Sequence, residues 1–198
     1  ISYPGGEALT LSGEVKIATG EQIDTSTRNY IKEVLEAEGL TVSFVAAGDD
    51  TAQIRMGTVG DGSLAASLNP ASIADLFNKD DAYMLTVADN EITILGKNTT
   101  AAFYGVATLK MMLSSLANSA LVPVTIEDYA DVAVRGIVEG FYGGFQDDHR
   151  KSEMEFCRDV KMNMFIYASK TDSYHDRQWA TPYPEERINY FKELVALQ

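Results

Sequence analysis

A single cysteine, Cys157, leaves no partner for an internal disulfide and excludes metal sites built on several thiolates. The redox compartment stays open. No run approaches the roughly 20 apolar residues of a membrane span. Basic residues are scarce, 16 Lys and Arg against 29 Asp and Glu, which gives a formal charge of −13 and a pI near 4.5. That balance argues against nucleic acid and anionic lipid as partners, because both are bound by clustered cations. A neutral or weakly charged ligand fits better. Internal repeats and low-complexity tracts are absent too. The chain starts at Ile1, with no initiator Met and no basic-then-apolar leader, and so reads as a trimmed chain from which any targeting signal has been removed.

What is present reads as α/β in two regions, 1–132 and 133–198. In the first, Glu14 to Ala18 is a short apolar alternation. It is followed by the N-cap types Asp24-Thr-Ser-Thr27, then by Tyr30, Ile31, Val34 and Leu35 at helical spacing, with Gly39 as the stop. Leu40 to Ala46 and Gln53 to Gly57 read as further strands, and 57–81 as loops around a short helix at Ala71 to Phe77. Tyr83, Leu85 and Val87 share a strand face, Asp89-Asn90 turns, and Ile92 and Ile94 return, which predicts a hairpin. Asn98 or Thr99 then caps a helix carrying Phe103, Val106, Leu109 (or Lys110), Leu113 and Leu116. Val122 to Ile126 is a strand, and Glu127-Asp128-Tyr129 a connector.

Beyond Val132 the order becomes strand, loop, helix, strand, loop, helix, as in parallel architectures. Val134 to Gly143 and Phe165 to Lys170 are the strand signals, and they put Gly140 and Lys170 at neighbouring carboxyl ends. Barrels built of βα units bind their ligands there. The helix at 148–160 shows Met154, Cys157 and Val160 on one face. The helix at 184–197 starts with Pro184 at its first position and buries Ile188, Phe191 and Leu194 or Val195.

Three segments carry a resemblance: Arg135-Gly-Ile-Val-Glu-Gly-Phe-Tyr-Gly143, Asn163-Met-Phe-Ile-Tyr-Ala-Ser-Lys-Thr-Asp172, and Tyr174-His175 through Trp179 to Pro182-Tyr-Pro184. In order and spacing they resemble the start of the catalytic barrel of glycoside hydrolase family 84, the O-GlcNAcases and bacterial hyaluronidase-like β-N-acetylglucosaminidases. Upstream, Tyr83 to Leu113 resembles the α/β accessory domain that precedes the barrel in this family and in related hexosaminidases. The resemblance implies an α+β accessory domain with a mixed sheet, followed by the first two βα units of an incomplete TIM barrel.

It further implies a parent glycosidase, bacterial and secreted or cell-surface, that cleaves terminal β-linked N-acetylglucosamine with the substrate's own acetamido oxygen as nucleophile. The catalytic acidic pair is then expected beyond Gln198, so that no catalytic residue lies within this chain and the 198 residues alone lack turnover. Gly140 matches a glycine whose carbonyl accepts a sugar hydroxyl, and Lys170 a lysine that donates to ring hydroxyls. Tyr142 is a further candidate contact. The expected partner is an N-acetylglucosamine-containing glycan or glycoconjugate, with no cofactor and no metal, and with self-association through the truncated barrel. The sequence departs from the family at Gly144-Phe145-Gln146, where Arg-Pro-Trp is usual, and at Ser169-Lys-Thr-Asp172, where Pro-Lys-Asp-Asp is usual. Both point to a different substrate preference. The alternative is a non-catalytic glycan- or protein-binding module.

Other residues have plainer readings. Asp147-Asp148 can be a catalytic pair, but their place before a helix favours N-capping and the helix dipole. His149 reads as surface. His175 with Asp172 and Asp176 lacks a recognised ligand geometry and favours loop hydrogen bonding. Glu139 is a general acid or a buried salt bridge to Arg135 or another barrel residue. Trp179, like Tyr142, either lines the sugar site or packs its loop, and Cys157 belongs to a core.

Overall fold

Val15, Ile17, Ile54, Met56, Ile92 and Ile94 recur at a spacing of two and are completely buried. The strands they belong to form the centre of the larger of two compact units, Ile1–Asp131 and Val132–Gln198. The structure is a computed structural model and describes residues 1–62, 74–115, 120–140 and 146–196.

In the first unit, β1 (Leu9–Thr10) pairs with β7 (Ala120–Leu121). The main sheet contains β2 (Glu14–Thr19), β3 (Thr41–Val45), β4 (Ile54–Thr58), β5 (Asp80–Ala88), β6 (Glu91–Gly96) and β8 (Val124–Ala130), in the order β3-β2-β4-β6-β5-β8. The first four in that order run parallel, and β5 and β8 each run antiparallel to their neighbour, so the sheet is mixed. Helices α1 (Thr25–Ala37) and α2 (Thr99–Ser114) pack on it and on each other, with Tyr30 and Phe103 stacked at 4.4 Å. Each fully buried aliphatic side chain contributes roughly 1.5–3 kcal/mol here. Lys16, Arg55, Thr86, Thr93 and Thr125 alternate with this core and stay half-exposed.

Local chemistry explains the ends of these elements. Asp24 caps α1 by accepting from the Thr27 amide at 2.8 Å, and Asn98 caps α2 by accepting from the Ala101 amide at 2.9 Å. Asp89 and Asn90 both hold positive φ, 49° and 64°, as a two-residue hairpin turn of the primed type requires. Gly105 lets α2 approach the sheet: an added Cβ would sit 2.5 Å from Ile94 Cγ2.

Two expectations need correction in this unit. Glu127-Asp128-Tyr129 is not a connector, because the nine-residue β5 supplies ladder partners through Asp80↔Ala130, and β8 therefore runs from Val124 to Ala130. Of the short helix expected at 71–77, the described part is a 3-10 turn, Leu76–Asn78. Residues 71–73, and Leu116 of the α2 stripe, lie outside the described residues.

The second unit is strand, helix, strand, helix: β9 (Gly136–Glu139), α3 (Asp147–Asp159), β10 (Met164–Tyr167) and α4 (Glu185–Val195). β9 and β10 are parallel and in register from Gly136↔Met164 to Glu139↔Tyr167. Met154 and Cys157 are buried as expected, and burial pushes the Cys157 thiol up from its ordinary pKa. Val160 is not on that face: it follows the end of α3, where Lys161 turns the chain at φ 63°, and it stays exposed.

The packed face of α4 also differs from the expectation. Pro184 precedes the helix instead of opening it. Arg187, Tyr190, Phe191 and Leu194 form the covered stripe, at i, i+3, i+4 and i+7, while Ile188 and Val195 are 41% and 70% exposed. Ile188 sits one position off the stripe, and polar groups on β10 and α3 select Arg187 and Tyr190 instead.

Candidate functional site

The last residue of β9 organises this end of the second unit. Strand alternation leaves Val138 53% exposed and turns Glu139 inward, where it is fully buried. A buried carboxylate must be paired. Its partner is Arg150 of α3, itself 1% exposed, whose Nε donates to Oε2 at 2.5 Å and whose Nη2 donates to Oε1 at 2.7 Å. This fork geometry is the strong form of the contact. Bonding to Glu139 raises the arginine's pKa above its ordinary value. The expected salt bridge is thus made with another residue of the unit, Arg150, while Arg135 donates to the carbonyls of Lys161 and Val132. Of the two readings of Glu139, the buried salt bridge is the one this geometry matches.

From Arg150 the network continues outward. Its Nη1 donates to Asp147 Oδ1 and to the Tyr190 hydroxyl, both at 2.7 Å. Asp147 also accepts from Arg187 Nη1 at 3.0 Å, and Arg187 Nη2 donates to the Tyr167 hydroxyl at 3.0 Å. The Arg187 guanidinium lies 4.4 Å from the Tyr190 ring centre. Tyr167, the last residue of β10, in turn donates to Asp172 Oδ2 at 2.5 Å. Asp172 takes two more donors, the Tyr174 amide at 2.9 Å and the Tyr183 hydroxyl at 3.2 Å.

Asp147 is therefore not an N-cap, but with Asp148 it takes the expected place at the positive end of the helix dipole. Gln146 occupies the cap position without a side-chain bond, and Asp147 and Asp148 stand in the first turn of α3. Beside this network lies an open cleft of about 700 Å³, lined in part by Arg150, Tyr167, Asp172, Arg187 and Tyr190.

The network sets the local acidities. Partial burial alone would raise Asp147, but the bonds from Arg187 and Arg150 outweigh it and hold the carboxyl below its ordinary value of 3.8. Asp172 is lowered in the same way: burial opposes, and the donors Tyr167, Tyr174 and Tyr183 prevail. The Tyr167 hydroxyl is pushed up to about 12, first by burial and then by its bond to Asp172. A folded-state pKa below the unfolded value adds stability that is complete above the unfolded value and disappears as pH falls through the folded one. The thermal midpoint of the second unit is therefore expected to drop as pH falls below about 4, starting from the ordinary carboxyl value of 3.8. Circular dichroism melts at several pH values between 5 and 2 measure this. An equally steep acid slope in the Asp147→Asn, Asp172→Asn double variant would rule these two carboxylates out.

The sequence candidates fall around this frame. Gly140 directly follows β9 and is exposed; its amide donates to the Val138 carbonyl at 3.0 Å, and an added Cβ would meet none of the described residues within 4 Å. Lys170 lies in the turn three residues after β10, exposed, next to the buried Ser169. The parallel register puts both at the same end of the strand pair. Tyr142 falls in 141–145, outside the described residues. Trp179 is 79% exposed, and His149 and His175 are exposed as well. Among the described residues no group of three or more His, Cys, Asp or Glu is arranged to hold a metal, and no helix is long and apolar enough to cross a membrane.

Sequence reading missed Arg150, Arg187, Tyr183 and Tyr190. For Arg150 a signal existed: it stands four and seven residues before Met154 and Cys157 and so continues their buried stripe.

Two family models match. Glycosyl hydrolase family 20, domain 2, covers residues 1–129, and beta-N-acetylglucosaminidase covers residues 135–197. Among solved structures, CpGH84D shares 32% identity at a TM-score of 0.88, over 99% of this chain and 34% of that one. CpGH84B shares 25% at 0.73, over 98% and 33%. A mutant β-hexosaminidase of Streptomyces plicatus, solved with its product GlcNAc, shares 20% at 0.61, over 84% and 32%, which is a likeness of fold. The chain thus spans about a third of the length of each of these relatives. Matched over residues 1–129 by the one family and over 135–197 by the other, the chain belongs to the glycosyl hydrolases: its first unit is a family 20 domain 2, and its second a β-N-acetylglucosaminidase segment of the family 84 kind.

Proposed function

We propose that this chain forms part of a retaining β-N-acetylglucosaminidase that removes terminal β-linked N-acetylglucosamine from a glycan or glycoconjugate, with Gly140 and Lys170 holding the sugar. In this reading residues 1–132 are the accessory domain, and 133–198 supply the first two βα units of a (β/α)8 barrel, whose ligands bind at the carboxyl ends of the strands. The parallel register of β9 and β10, which gives both residues the same strand end, is the observation that carries the reading.

Gly140, an exposed residue, offers its backbone carbonyl to a sugar hydroxyl. Lys170 offers an ammonium with three donors, and Tyr142 an aromatic face for the pyranose ring. The substrate's acetamido oxygen attacks the anomeric carbon, so no protein nucleophile is required. The acidic pair that orients the acetamido group and protonates the leaving oxygen is supplied from beyond Gln198. Of the described acids at this end, Glu139 and Asp147 are bonded to arginines and Asp172 to tyrosines.

Hydrolysis of an aryl β-N-acetylglucosaminide tests the proposal. In the parent enzyme Lys170→Ala is expected to lower kcat/KM about tenfold or more, the loss of one charge-assisted bond, while the 198 residues alone give no turnover. An unchanged kcat/KM removes Lys170 from the site, and appreciable kcat from the 198 residues overturns the placing of the acids. The commitment of those three acids also favours, as the second reading, a non-catalytic glycan-binding module. Calorimetric titration of the chain with millimolar N-acetylglucosamine measures it, and absence of heat removes it.

A further inference from the structure

We propose that Asp172 is the positioning residue for Lys170: by gathering three donors it fixes the turn that follows β10 and with it the direction of the ammonium. This rests on the sugar-binding reading of Lys170 given above. In the turn from Ser169 to Asp176, Lys170, Thr171, Ser173, His175 and Asp176 are exposed, and the aromatic contact is that of Tyr174 with Tyr183 at 5.1 Å. Polar contacts add to it, Ser169 with Thr171 and the Gln178 amide with the Ser173 carbonyl, and the largest group of them converges on one carboxylate. Oδ2 accepts from Tyr167, which is part of β10, and from Tyr183, which lies just ahead of α4; Oδ1 accepts from the Tyr174 amide within the turn. The Asp172 amide donates to the Ser169 carbonyl, and its own carbonyl accepts from the His175 and Asp176 amides. One side chain thus ties the strand before Lys170, the turn that carries it and the segment leading to the next helix.

Tyr167 is held in its turn by Arg187, and Tyr183 packs edge-on to Phe191 at 5.1 Å, so both hydroxyls are anchored to α4. An ammonium on a four-carbon stem gains nothing from its donors unless the backbone beneath it is fixed, and small displacements of a binding group cost large factors in rate.

The test has two arms. In this 198-residue chain, tryptic cleavage after Lys170 reports the hold on the turn directly. Asp172→Ala is expected to raise its initial rate about tenfold through easier local opening, with cleavage after Arg177 as the internal reference and Asp172→Asn recovering most of the protection. In the parent enzyme, Asp172→Ala is expected to lower kcat/KM about tenfold, mainly in KM, in the native background but less than twofold in the Lys170→Ala background. Tyr167→Phe removes one of the three donors and is expected to give the same pattern at smaller size, which provides the measurement if Asp172→Ala does not fold.

Unchanged tryptic cleavage, or an equal factor in both backgrounds, overturns the inference while leaving Lys170 in the site. A Lys170→Ala enzyme with native kcat/KM overturns the sugar-binding reading itself, and the inference with it.

Discussion

Arg150→Met is expected to destabilise the second unit by about 3–5 kcal/mol, because it strands the Glu139 carboxylate in an interior from which water is excluded. Glu139 is completely buried, and Arg150 gives its carboxylate two charge-assisted bonds. Much of the loss is the penalty on what remains, not the net worth of the pair. Two consequences separate this account from simple loss of packing. A Glu139→Leu, Arg150→Met double variant is expected to recover most of the stability, since replacing both members of a buried pair by apolar groups is often neutral. The single variant is expected to regain stability as pH is lowered. A buried carboxyl that loses its cation has its folded pKa raised, so protonation relieves the penalty. Urea denaturation of the three proteins, with amide exchange in β9 and β10 as the local probe, measures this. A double variant as unstable as the single one would show that the pair is not the cause.

Gly136→Ala is the second large effect. Gly136 pairs with Met164 across the β9–β10 ladder, and an added Cβ would lie 1.9 Å from the Met164 carbonyl oxygen. That atom belongs to the backbone of the neighbouring strand and cannot rotate aside, so the strands themselves must part. The expected loss is at or above the upper end of the roughly 1–3 kcal/mol usual for overpacking. Gly140→Ala is the control. Its Cβ would meet none of the described residues within 4 Å, and the expected change in stability is within about 0.5 kcal/mol. Exchange protection of β9 and β10 amides in the two variants distinguishes them. Equal protection would mean that the strands tolerate the methyl group.

Legibility in the sequence followed the physics of each element. Where one period dominated, the reading held: the Tyr83, Leu85, Val87 alternation and the Asp89-Asn90 turn give the hairpin, and Asp24 and Asn98 give the two capped helices. These signals are local and need nothing from the rest of the chain. β8 was under-read because Glu127, Asp128 and Tyr129 look like a loop, and only a long β5 beside them makes a strand of them.

The second unit was harder, since its interior is partly polar. Apolar periodicity pointed to Ile188, whereas the covered stripe of α4 runs through Arg187 and Tyr190. A pattern search that counts only apolar residues misses a face closed by guanidinium groups on tyrosine rings. For the candidate site, the motifs around Gly140 and Lys170 were visible and the common strand end was deducible from βα order. The Glu139–Arg150 pairing was not: the partners stand eleven residues apart, one ending a strand and the other in the first turn of the next helix, beyond any rule of spacing, and the pairing is made only in three dimensions.

One side of the β9–β10 pair remains uncovered, with Val138, Met164 and Ile166 between 38% and 53% exposed. Parallel strands are ordinarily sheathed on both faces. In a tube of purified protein this side sets the colloidal temperament of the chain. The thirteen surplus negative charges keep neighbouring molecules apart at low ionic strength. Sulfate or phosphate at high concentration screens that repulsion and, in the same stroke, strengthens the cohesion of bare hydrocarbon, so that salting-out and clumping arrive together.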